Sequence, residues 1–399
     1  MHTEKNNTHM KILFVISNLY VKGNGMSVSA RRTIKELRLA GQEVRVLSGA
    51  NPEPNGPEPE YKLELFKIPI FQPIIDHNGF CFARSYTKKD LQVIEEAIRW
   101  ADVVHVEEFF PLHHRVVLIA KRLGKPITAT YHIHPENILY QIGIHNRHIS
   151  KLMLKYWKQR VYKYCDWIQC PTENVYDRLM RYHINANFKV ISNGVISEAC
   201  TRPLTPPENY LDENRPLNVL YIGRFSVEKD QPTLLEAMRY SRFNKRIQLH
   251  FAGQGPRAKA LKRMADRLMK EGVLKYEPVF QFHTHEELRD LAAHADLAIH
   301  CATIEVEGLS IMEAMQQAVV PVIAVGRHTG TPQFALDRRS KFPKQNPEAL
   351  AKRIDYWLSH PQERWEMGFK YVESMKQYDI KESAKQLIEM FEEAVRGKG

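Results

Sequence analysis

The chain has 399 residues, 43% of them hydrophobic, which is enough for two or three domains with buried cores and excludes a largely disordered chain. Its net charge of +11 favours an anionic partner, such as a nucleotide diphosphate, an anionic lipid surface or nucleic acid. No run of about 18 apolar residues predicts a membrane-spanning helix, and no apolar core near residue 1 predicts a signal peptide.

The first half of the chain alternates short apolar runs with longer amphipathic stretches, which is typical of an α/β domain with a parallel sheet. Residues 1–9 are polar and predict a flexible extension, so the first domain is expected over 10–200. Its strands are predicted at 11–16, 43–47, 102–106, 127–131, 167–169 and 189–191. Its helices are predicted at 27–39, 87–100, 112–123, 148–164 and 173–182.

The loop after the first predicted strand contains two glycines, Gly23 and Gly25. Ser27 follows them and is a suitable N-cap for the helix predicted there. A pair of glycines in this place is compatible with a loop that approaches a phosphate and equally with an ordinary turn. The loop is therefore a candidate for ligand binding.

Polar residues follow two other predicted strands of this domain. His132 comes directly after the strand at 127–131, where an imidazole can polarise a hydroxyl or bind a sugar. Glu107 and Glu108 come after the strand at 102–106. For these two, solvated loop carboxylates are expected rather than catalytic groups.

The segment 147–163 holds six lysine and arginine residues and no acidic residue. On a helix, its basic and apolar residues separate onto two faces. The basic face has Arg147, Lys151, Lys155 and Lys158, and the apolar face has Leu154, Trp157 and Val161. Such a helix either lies on an anionic membrane surface or packs into a core with its lysines in water. The charge of the whole chain favours the membrane.

Residues 201–216 are rich in proline and polar residues, which predicts a linker. A second alternation of strands and helices follows and predicts a second domain over 217–379. Its strands are predicted at 218–222, 247–252, 279–282, 297–300 and 320–325. Its helices are predicted at 231–238, 256–270, 285–295 and 309–317, with further helices from 347 to the end.

Two carboxylates, Glu305 and Glu313, flank the most informative segment of the second domain. Gly308, Leu309 and Ser310 lie between them, and a predicted strand ends shortly before them. The pattern predicts a strand, a glycine turn and a helix whose first N–H groups can bind a phosphate. Glu305 would then bind sugar hydroxyls and Glu313 a ribose. The alternative is that both are solvated charges.

Two more glycine turns follow strands earlier in this domain. Gly223 ends the strand at 218–222 and lets the backbone approach a ligand closely. Arg224 and Lys229 come next and supply positive charge for a diphosphate. Gly253 and Gly255 follow the strand at 247–252. One such turn is weak evidence, but three in succession indicate a site for a nucleotide diphosphate.

Five cysteines without a CxxC pair favour reduced thiols in the cytoplasm. The ligand spacing of a structural zinc site is absent. No Asp-x-Asp pair accompanies the two cations of the diphosphate turn, so no metal is expected.

Together these motifs resemble the retaining, nucleotide-sugar-dependent glycosyltransferases of family four, from about residue 10 to about residue 399. Glu305 and Glu313 match the E-x7-E signature of that family. The other matching strings are Gly223-Arg224 with Lys229 for the diphosphate clamp, Gly253-Gln-Gly255-Pro for the second glycine turn, and Ser192-Asn-Gly194-Val for the end of the first domain. Short strings that begin at Tyr131, Glu305 and Thr331 are similar to the diacylglycerol glucosyltransferases of the family.

The resemblance implies a GT-B fold: two facing Rossmann-like domains with parallel sheets, the acceptor in the first and the donor in the second, and a final helix at about 380–399 that returns to the first. It implies a cytoplasmic enzyme at the inner face of the cell membrane. This enzyme would move a hexose with retention of configuration, from UDP-glucose to a membrane glycerolipid. His132 would meet the donor sugar, the donor phosphate would take the acceptor proton, and no separate cofactor would take part.

Three positions depart from the family pattern. Glu307 stands where many members have an aromatic residue, Asp230 replaces a usual glycine, and the stretch from Ala318 to Pro321 lacks a common glycine. The donor therefore stays open. The alternative acceptors are a surface polysaccharide or another soluble molecule, and the alternative function is non-catalytic binding of a nucleotide sugar. No motif for nucleic-acid recognition supports a nucleic-acid partner.

Overall fold

The computed structural model describes residues 9–21, 25–53, 55–66 and 82–397. Its contacts divide the chain into two compact units. Unit 1 consists of Met1–His132, Arg147–Gly194 and Ile380–Gly399, and unit 2 consists of Ile133–Asn146 and Val195–Asp379. The sequence placed 10–200 in one domain, whereas the structure assigns 133–146 and 195–200 to the second unit. The expected extension at 1–9 lies almost entirely outside the described residues.

Unit 1 is built on a parallel sheet of seven strands within the described residues. The strands of this unit are β1 (Lys11–Val15), β2 (Glu43–Gly49), β3 (Tyr61–Leu63), β4 (Leu65–Phe66), β5 (Phe82–Ala83), β6 (Val103–Val106), β7 (Ile127–Thr130), β8 (Trp167–Cys170) and β9 (Asn187–Val190). The sheet has the order β3-β2-β1-β6-β7-β8-β9, while β4 and β5 form a separate antiparallel pair. Strand order reverses between β1 and β6, which is where ligands bind in open parallel sheets.

The helices of the first part of the chain are α1 (Gly25–Leu39), α2 (Lys88–Trp100), α3 (Pro111–Arg122), α4 (Pro135–Gln141), α5 (Arg147–Arg160) and α6 (Glu173–Met180). All except α4 belong to unit 1. The last helix of the chain, Ile380–Arg396, also belongs to unit 1 and packs against α1. Its Leu387 and Phe391 join Phe14 of β1 in one buried core. The returning helix implied by the resemblance is thus present.

Unit 2 contains a second parallel sheet, of six strands in its described part. The strands are β10 (Leu217–Ile222), β11 (Ile247–Ala252), β12 (Val279–Gln281), β13 (Leu297–His300), β14 (Ile304–Glu305), β15 (Val320–Val325), β16 (His328–Thr329) and β17 (Lys341–Pro343). The sheet has the order β12-β11-β10-β13-β15-β17, and β14 pairs with β16 apart from it. Here the strand order reverses between β10 and β13.

The helices of unit 2 after α4 are α7 (Gln231–Ala237), α8 (Ala258–Lys270), α9 (His285–Ala293), α10 (Leu309–Met315), α11 (Pro347–Ser359) and α12 (Pro361–Met375), and the returning helix is α13 (Ile380–Arg396). The buried apolar residues of the helices and of the sheet in unit 2 form one core. Both units therefore have the Rossmann-like architecture that the alternating pattern predicts.

The segment at 201–216 is anchored to unit 2 by buried polar contacts. Arg202 is buried and donates to the carbonyl oxygens of Ala293 at 2.8 Å and Ala318 at 2.9 Å. Arg215 forms an ion pair with the buried Asp296, with an N–O distance of 2.6 Å. The prolines break regular structure, but these contacts hold the segment in one path.

None of the described residues forms a helix that is both long enough and apolar enough to cross a bilayer.

Candidate active site

The predicted diphosphate site of unit 2 lies at the carboxyl ends of β10, β11 and β13. These strands are neighbours on both sides of the point where strand order reverses. Loops at such a point are held close together by the parallel register of the strands. Residues that are distant in sequence, such as Arg224 and Glu305, are thereby brought to one edge of the sheet.

The first two glycine turns at this edge pack backbone against backbone. A Cβ atom added to Gly253 would lie 2.1 Å from the carbonyl oxygen of Gly223, so a side chain cannot be placed there without moving the backbone. The amide of Phe225 donates to the carbonyl of Gln254 at 3.0 Å, which joins the two turns. The glycine at 253 is therefore required by the close approach of the two loops.

Lys229 and Glu305 form an ion pair between the first and the third turn. Burial alone would lower the pKa of Lys229, but the carboxylate of Glu305 raises it above its ordinary value. Arg224 is close enough to Lys229 to oppose that increase by charge repulsion. The carbonyl of Arg224 accepts a hydrogen bond from Gln231 at 2.7 Å, which fixes the start of the turn. Two cations and one carboxylate thus converge at this edge.

Glu305 lies in a short parallel pair of strands, β14 and β16, that was not predicted from the sequence. In this pairing Glu305 of β14 is opposite Thr329 of β16, and the amide of Gly330 donates to the Glu305 carbonyl at 2.8 Å. His300, at the end of β13, is buried with its Nε2 atom 3.4 Å from the Glu305 carboxylate. Burial lowers the pKa of His300 to about 4, so this imidazole is neutral near pH 7.

The third turn begins α10 with a glycine in the left-handed region. Gly308 caps the helix with φ at 96°, and an added Cβ would lie 2.8 Å from Thr331 Oγ1. Ser310 Oγ donates to the carbonyl of Ile222 at 3.3 Å, which ties the start of α10 to the end of β10. Leu309 packs on the core, and Glu313 lies one turn after Ser310 on the same face of the helix.

In unit 1, His132 is paired with a buried carboxylate. His132 Nε2 lies 2.5 Å from Glu107 Oε2, and His105 Nε2 lies 2.8 Å from Glu107 Oε1. Burial alone would raise the pKa of Glu107, but His132 and His105 hold it well below its ordinary value. Glu107 is only 3% exposed, so the expectation of a solvated carboxylate is wrong: the flanking strands enclose it.

Glu108 is also buried, again contrary to the expectation. Its Oε2 atom accepts a hydrogen bond from the amide of Ser17 at 2.6 Å and lies 3.3 Å from His113 Nε2. Burial raises the pKa of Glu108 to about 7 and lowers that of His113 to about 3. The pKa values of two adjacent carboxyl groups, Glu107 and Glu108, are therefore shifted in opposite directions. Both groups lie where the strand order of unit 1 reverses.

Two family profiles match the chain: Glycosyltransferase Family 4 over residues 23–198 and Glycosyl transferases group 1 over residues 206–382. The chain is a family-four glycosyltransferase. It is 25% identical over 79% of its length to an alpha-monoglucosyldiacylglycerol synthase of Streptococcus pneumoniae, of which the match covers 71%. It is 22% identical over 75% of its length to the enzyme of that name from Acholeplasma laidlawii, of which the match covers 76%.

Among solved structures, HepE of Anabaena in complex with UDP is similar with a TM-score of 0.68 and 16% identity. The match covers 96% of this chain and 100% of that one. This likeness shows the fold: the two Rossmann-like units are those of a GT-B glycosyltransferase.

Two departures from the family pattern occur at positive φ. Asp230, which replaces a usual glycine of these glycosyltransferases, has φ at 50°, and Ala318 has φ at 57°. Asp tolerates this region better than other residues because its short side chain can bond locally, and Asp230 accepts from Thr233 Oγ1 at 2.7 Å. Burial raises the pKa of Asp230 to about 6.

Glu307, the third departure from the glycosyltransferase pattern, is buried beside Tyr378. Burial and the charge of Glu307 both raise the pKa of that tyrosine. In unit 1, Gly25 is the exposed first residue of α1, and Gly23 lies outside the described residues. No role was predicted for His300, although a histidine at the end of a strand before Glu305 was a usable signal.

The basic segment of this glycosyltransferase is helical from Arg147 to Arg160, and not to residue 163. Leu154 and Trp157 are buried, as expected for the apolar face. The Lys158 ammonium is already engaged within the domain and not available to bind a membrane surface. It donates to the carbonyls of Tyr182 at 2.7 Å and His183 at 2.8 Å. A second apolar stripe is exposed beside Lys151 and Lys155. It consists of Ile149, Leu152 and Tyr156, with Leu152 64% and Tyr156 57% exposed.

Proposed function

We propose that this glycosyltransferase moves glucose from UDP-glucose to a hydroxyl group of a membrane glycerolipid, with retention of configuration. The names of the two relatives support the acceptor class, since both are alpha-monoglucosyldiacylglycerol synthases. HepE has been crystallised with UDP and with UDP-glucose, which supports the donor.

The observation that carries the proposal is the convergence of Lys229, Arg224 and Glu305 at one edge of the unit 2 sheet. Breaking the bond between sugar and phosphate builds negative charge on the leaving diphosphate and positive charge on the sugar. Lys229 and Arg224 would stabilise the diphosphate, and the carboxylate of Glu305 would bind sugar hydroxyls. Glu313 would bind the ribose from the same side of α10.

Gly308, Leu309 and Ser310 would add backbone N–H groups to the diphosphate, and Gly223, Gly253 and Gly255 would allow it to approach the backbone. Lys229 and Arg224 would offset part of its charge, so we propose that transfer needs no metal ion and no cofactor. The donor phosphate would take the acceptor proton on the face where the sugar leaves, which retains configuration. His132 would bind a sugar hydroxyl during this step.

The acceptor proposal rests on the surface of α5. Lys151 and Lys155 are exposed next to the stripe of Ile149, Leu152 and Tyr156. A helix that packs into its own domain on one side and still exposes large apolar residues between lysines fits a membrane interface. We propose that this surface contacts anionic lipid at the inner face of the cell membrane.

Donor and acceptor are tested together by product analysis. The protein is incubated with UDP-glucose and other nucleotide sugars, with diacylglycerol in vesicles and with soluble glycan acceptors. An α-linked glucolipid made from UDP-glucose is the expected product. Transfer only to soluble glycans would overturn the lipid acceptor, a β-linked product would overturn retention, and donor binding without any transfer would indicate a binding protein.

The membrane contact is tested separately with vesicles that contain phosphatidylglycerol. The double variant Lys151→Gln/Lys155→Gln should bind them about 10- to 30-fold more weakly, since each lysine near an anionic surface contributes about 1 kcal/mol. Leu152→Ser/Tyr156→Ser should also weaken binding to the vesicles, and a lower salt concentration should not restore it. The matched control is Lys259→Gln/Lys262→Gln on α8, which removes the same charge from another exposed helix. An equal loss of vesicle binding in the control would overturn the proposal that α5 contacts the membrane.

A further inference from the structure

A chain of buried polar side chains crosses unit 1 from β8 to the end of β7. Gln169 Nε2 donates to the carbonyl of Ile191 at 2.9 Å, and Gln169 Oε1 accepts from Thr130 Oγ1 at 2.6 Å. Thr130 Oγ1 lies 3.0 Å from His105 Nε2, which also contacts Glu107. The chain ends where the other oxygen of Glu107 meets His132. Each member is fixed by the one before it.

His105 has its own second anchor in this chain. Its Nδ1 atom lies 2.8 Å from Thr128 Oγ1, and its ring packs against the rings of Phe14 and Phe391. His105 therefore cannot turn away from Glu107 without breaking core contacts. Glu107 in turn has both carboxylate oxygens occupied by imidazole nitrogens, which fixes its position and its negative charge.

We propose that Glu107 is a positioning residue for His132 in the glycosyl transfer proposed above. The carboxylate accepts the Nε2–H of His132 and thereby selects the tautomer whose Nδ1 atom carries the lone pair. The ring is thereby held in one fixed orientation for contact with a substrate hydroxyl. Glu107 itself touches no substrate. The inference rests on the proposed function for its kinetic consequences, but the tautomer can be measured without any substrate.

Other titratable groups surround this pair, and they determine what the pH profile can report. His105 contacts Glu107 directly, and Glu108, the next residue, interacts with both Glu107 and His132. His113 and Tyr162 also interact electrostatically with Glu107. Glu108 provides the matched control, because it is equally buried and adjacent but bonds Ser17 rather than His132.

The kinetic test compares Glu107→Gln with wild type over a range of pH. Loss of the carboxylate should lower kcat/KM on the order of 10- to 100-fold, as for partners that orient metal-bound histidines. A carboxylate beside an imidazole favours the protonated form of the imidazole. Removal of the Glu107 carboxylate should therefore lower the pKa of His132 and move the acidic limb of the pH profile to lower pH. In a His132→Gln background, Glu107→Gln should cost less than about 2-fold, because coupled residues are not additive. Glu107→Asp should retain the position of the limb.

A purely structural role for Glu107 would lower activity without moving the limb, and the losses of the two single variants would then multiply. Either result overturns the proposal, as does an equal shift of the limb in Glu108→Gln. If Glu107→Gln does not fold, Glu107→Asp and the wild-type protein still supply the test below.

The structural test measures the His132 tautomer by NMR of the full-length protein with ¹⁵N- and ¹³C-labelled histidine, assigned by comparison with His132→Gln. Wild type should show a protonated Nε2 and an unprotonated Nδ1, and Glu107→Gln should show a mixture. A mixed tautomer in wild type would overturn positioning. If wild type transfers hexose to no acceptor, the proposed function fails, while the tautomer still decides the role of Glu107.

Discussion

Lys229 donates to Glu305, so the cation expected to bind the donor diphosphate is neutralised by the carboxylate expected to bind the donor sugar. The two residues are separated by 76 positions in sequence. They meet because the turn after β10 and the turn after β13 lie at the same edge of the sheet. A diphosphate that enters this site would compete with Glu305 for the ammonium group and would leave the carboxylate to the sugar.

The first prediction concerns this pair. Lys229→Met and Glu305→Gln should each lower kcat about 10²- to 10³-fold, the range for removal of one group that stabilises transition-state charge. The double variant should lose less than the product of the two losses, because the residues contact each other. Steady-state kinetics with UDP-glucose and diacylglycerol measure this.

The control for the first prediction is the exposed pair of Lys352 and Glu348 on α11, whose nitrogen and oxygen are 2.8 Å apart. Lys352→Gln should leave kcat unchanged, since exposed ion pairs contribute little. Wild-type activity in both Lys229→Met and Glu305→Gln would remove the pair from the mechanism.

The second prediction concerns the contact between the two glycine turns. Gly253→Ala places a Cβ 2.1 Å from the carbonyl oxygen of Gly223 and must push the loops apart. It should lower the free energy of unfolding by about 1–3 kcal/mol and abolish the thermal shift caused by UDP-glucose. Gly272→Ala is the matched control: its φ is 66°, but the nearest neighbour of the added atom is Lys245 Nζ at 4.0 Å. A full donor response in Gly253→Ala would contradict the prediction.

The third prediction concerns stability in acid. Asp296 is buried with Arg215 and Arg364, at 2.6 Å and 2.7 Å. Burial alone would raise the pKa of Asp296, but the two guanidinium groups hold it below its ordinary value. A carboxyl group with a lowered folded pKa stabilises the fold above its unfolded pKa of about 3.9. This stabilisation is lost as the pH falls through the folded pKa.

Asp296→Asn should therefore lower the free energy of unfolding at pH 7 by about 3–5 kcal/mol, because Arg364 stays buried without its partner carboxylate. Below pH ~4, the free energy of unfolding of the variant should depend less steeply on pH than that of wild type. Denaturant titrations at several pH values measure both effects. Parallel pH curves for the two proteins would show that Asp296 does not contribute to acid sensitivity.

The fourth prediction concerns metal ions. If Lys229 and Arg224 supply the positive charge for the diphosphate, as proposed, activity after dialysis against EDTA should stay within about 2-fold of the starting value. Added Mg²⁺ or Mn²⁺ should not raise it further. A loss of more than about 10-fold that either ion restores would show that a metal takes part.

The predicted bounds of the longer strands and helices in both units agree with the structure to within a few residues. The reason is that the periodicity of apolar residues is a local property of the chain. The missed elements are short. β14 and β16 have two residues each, and β17 and β3 have three, so no period can be read from them. The short helix α4 was also missed, and it packs in unit 2 against the turn that carries Lys229.

The candidate site was predictable in part for the same reason. Gly223, Gly253 and Gly308 could be found because each follows an apolar strand, and a glycine at a strand end is a local signal. Glu107 was misjudged because two adjacent glutamates after a strand usually indicate solvent. The carboxylate is enclosed because His132, which follows the neighbouring strand β7, contacts it. This contact depends on the tertiary structure.

The sequence by itself determined the succession of two α/β units, the three glycine turns of the second unit and the family. These follow from apolar periodicity and from residue types that act over a few positions. The tertiary structure decided that residues 133–146 belong to the second unit, that Lys229 meets Glu305, and that Glu107 is buried between two histidines. The physical reason is that the order and register of parallel strands set which distant residues become neighbours, and a local pattern does not encode that order.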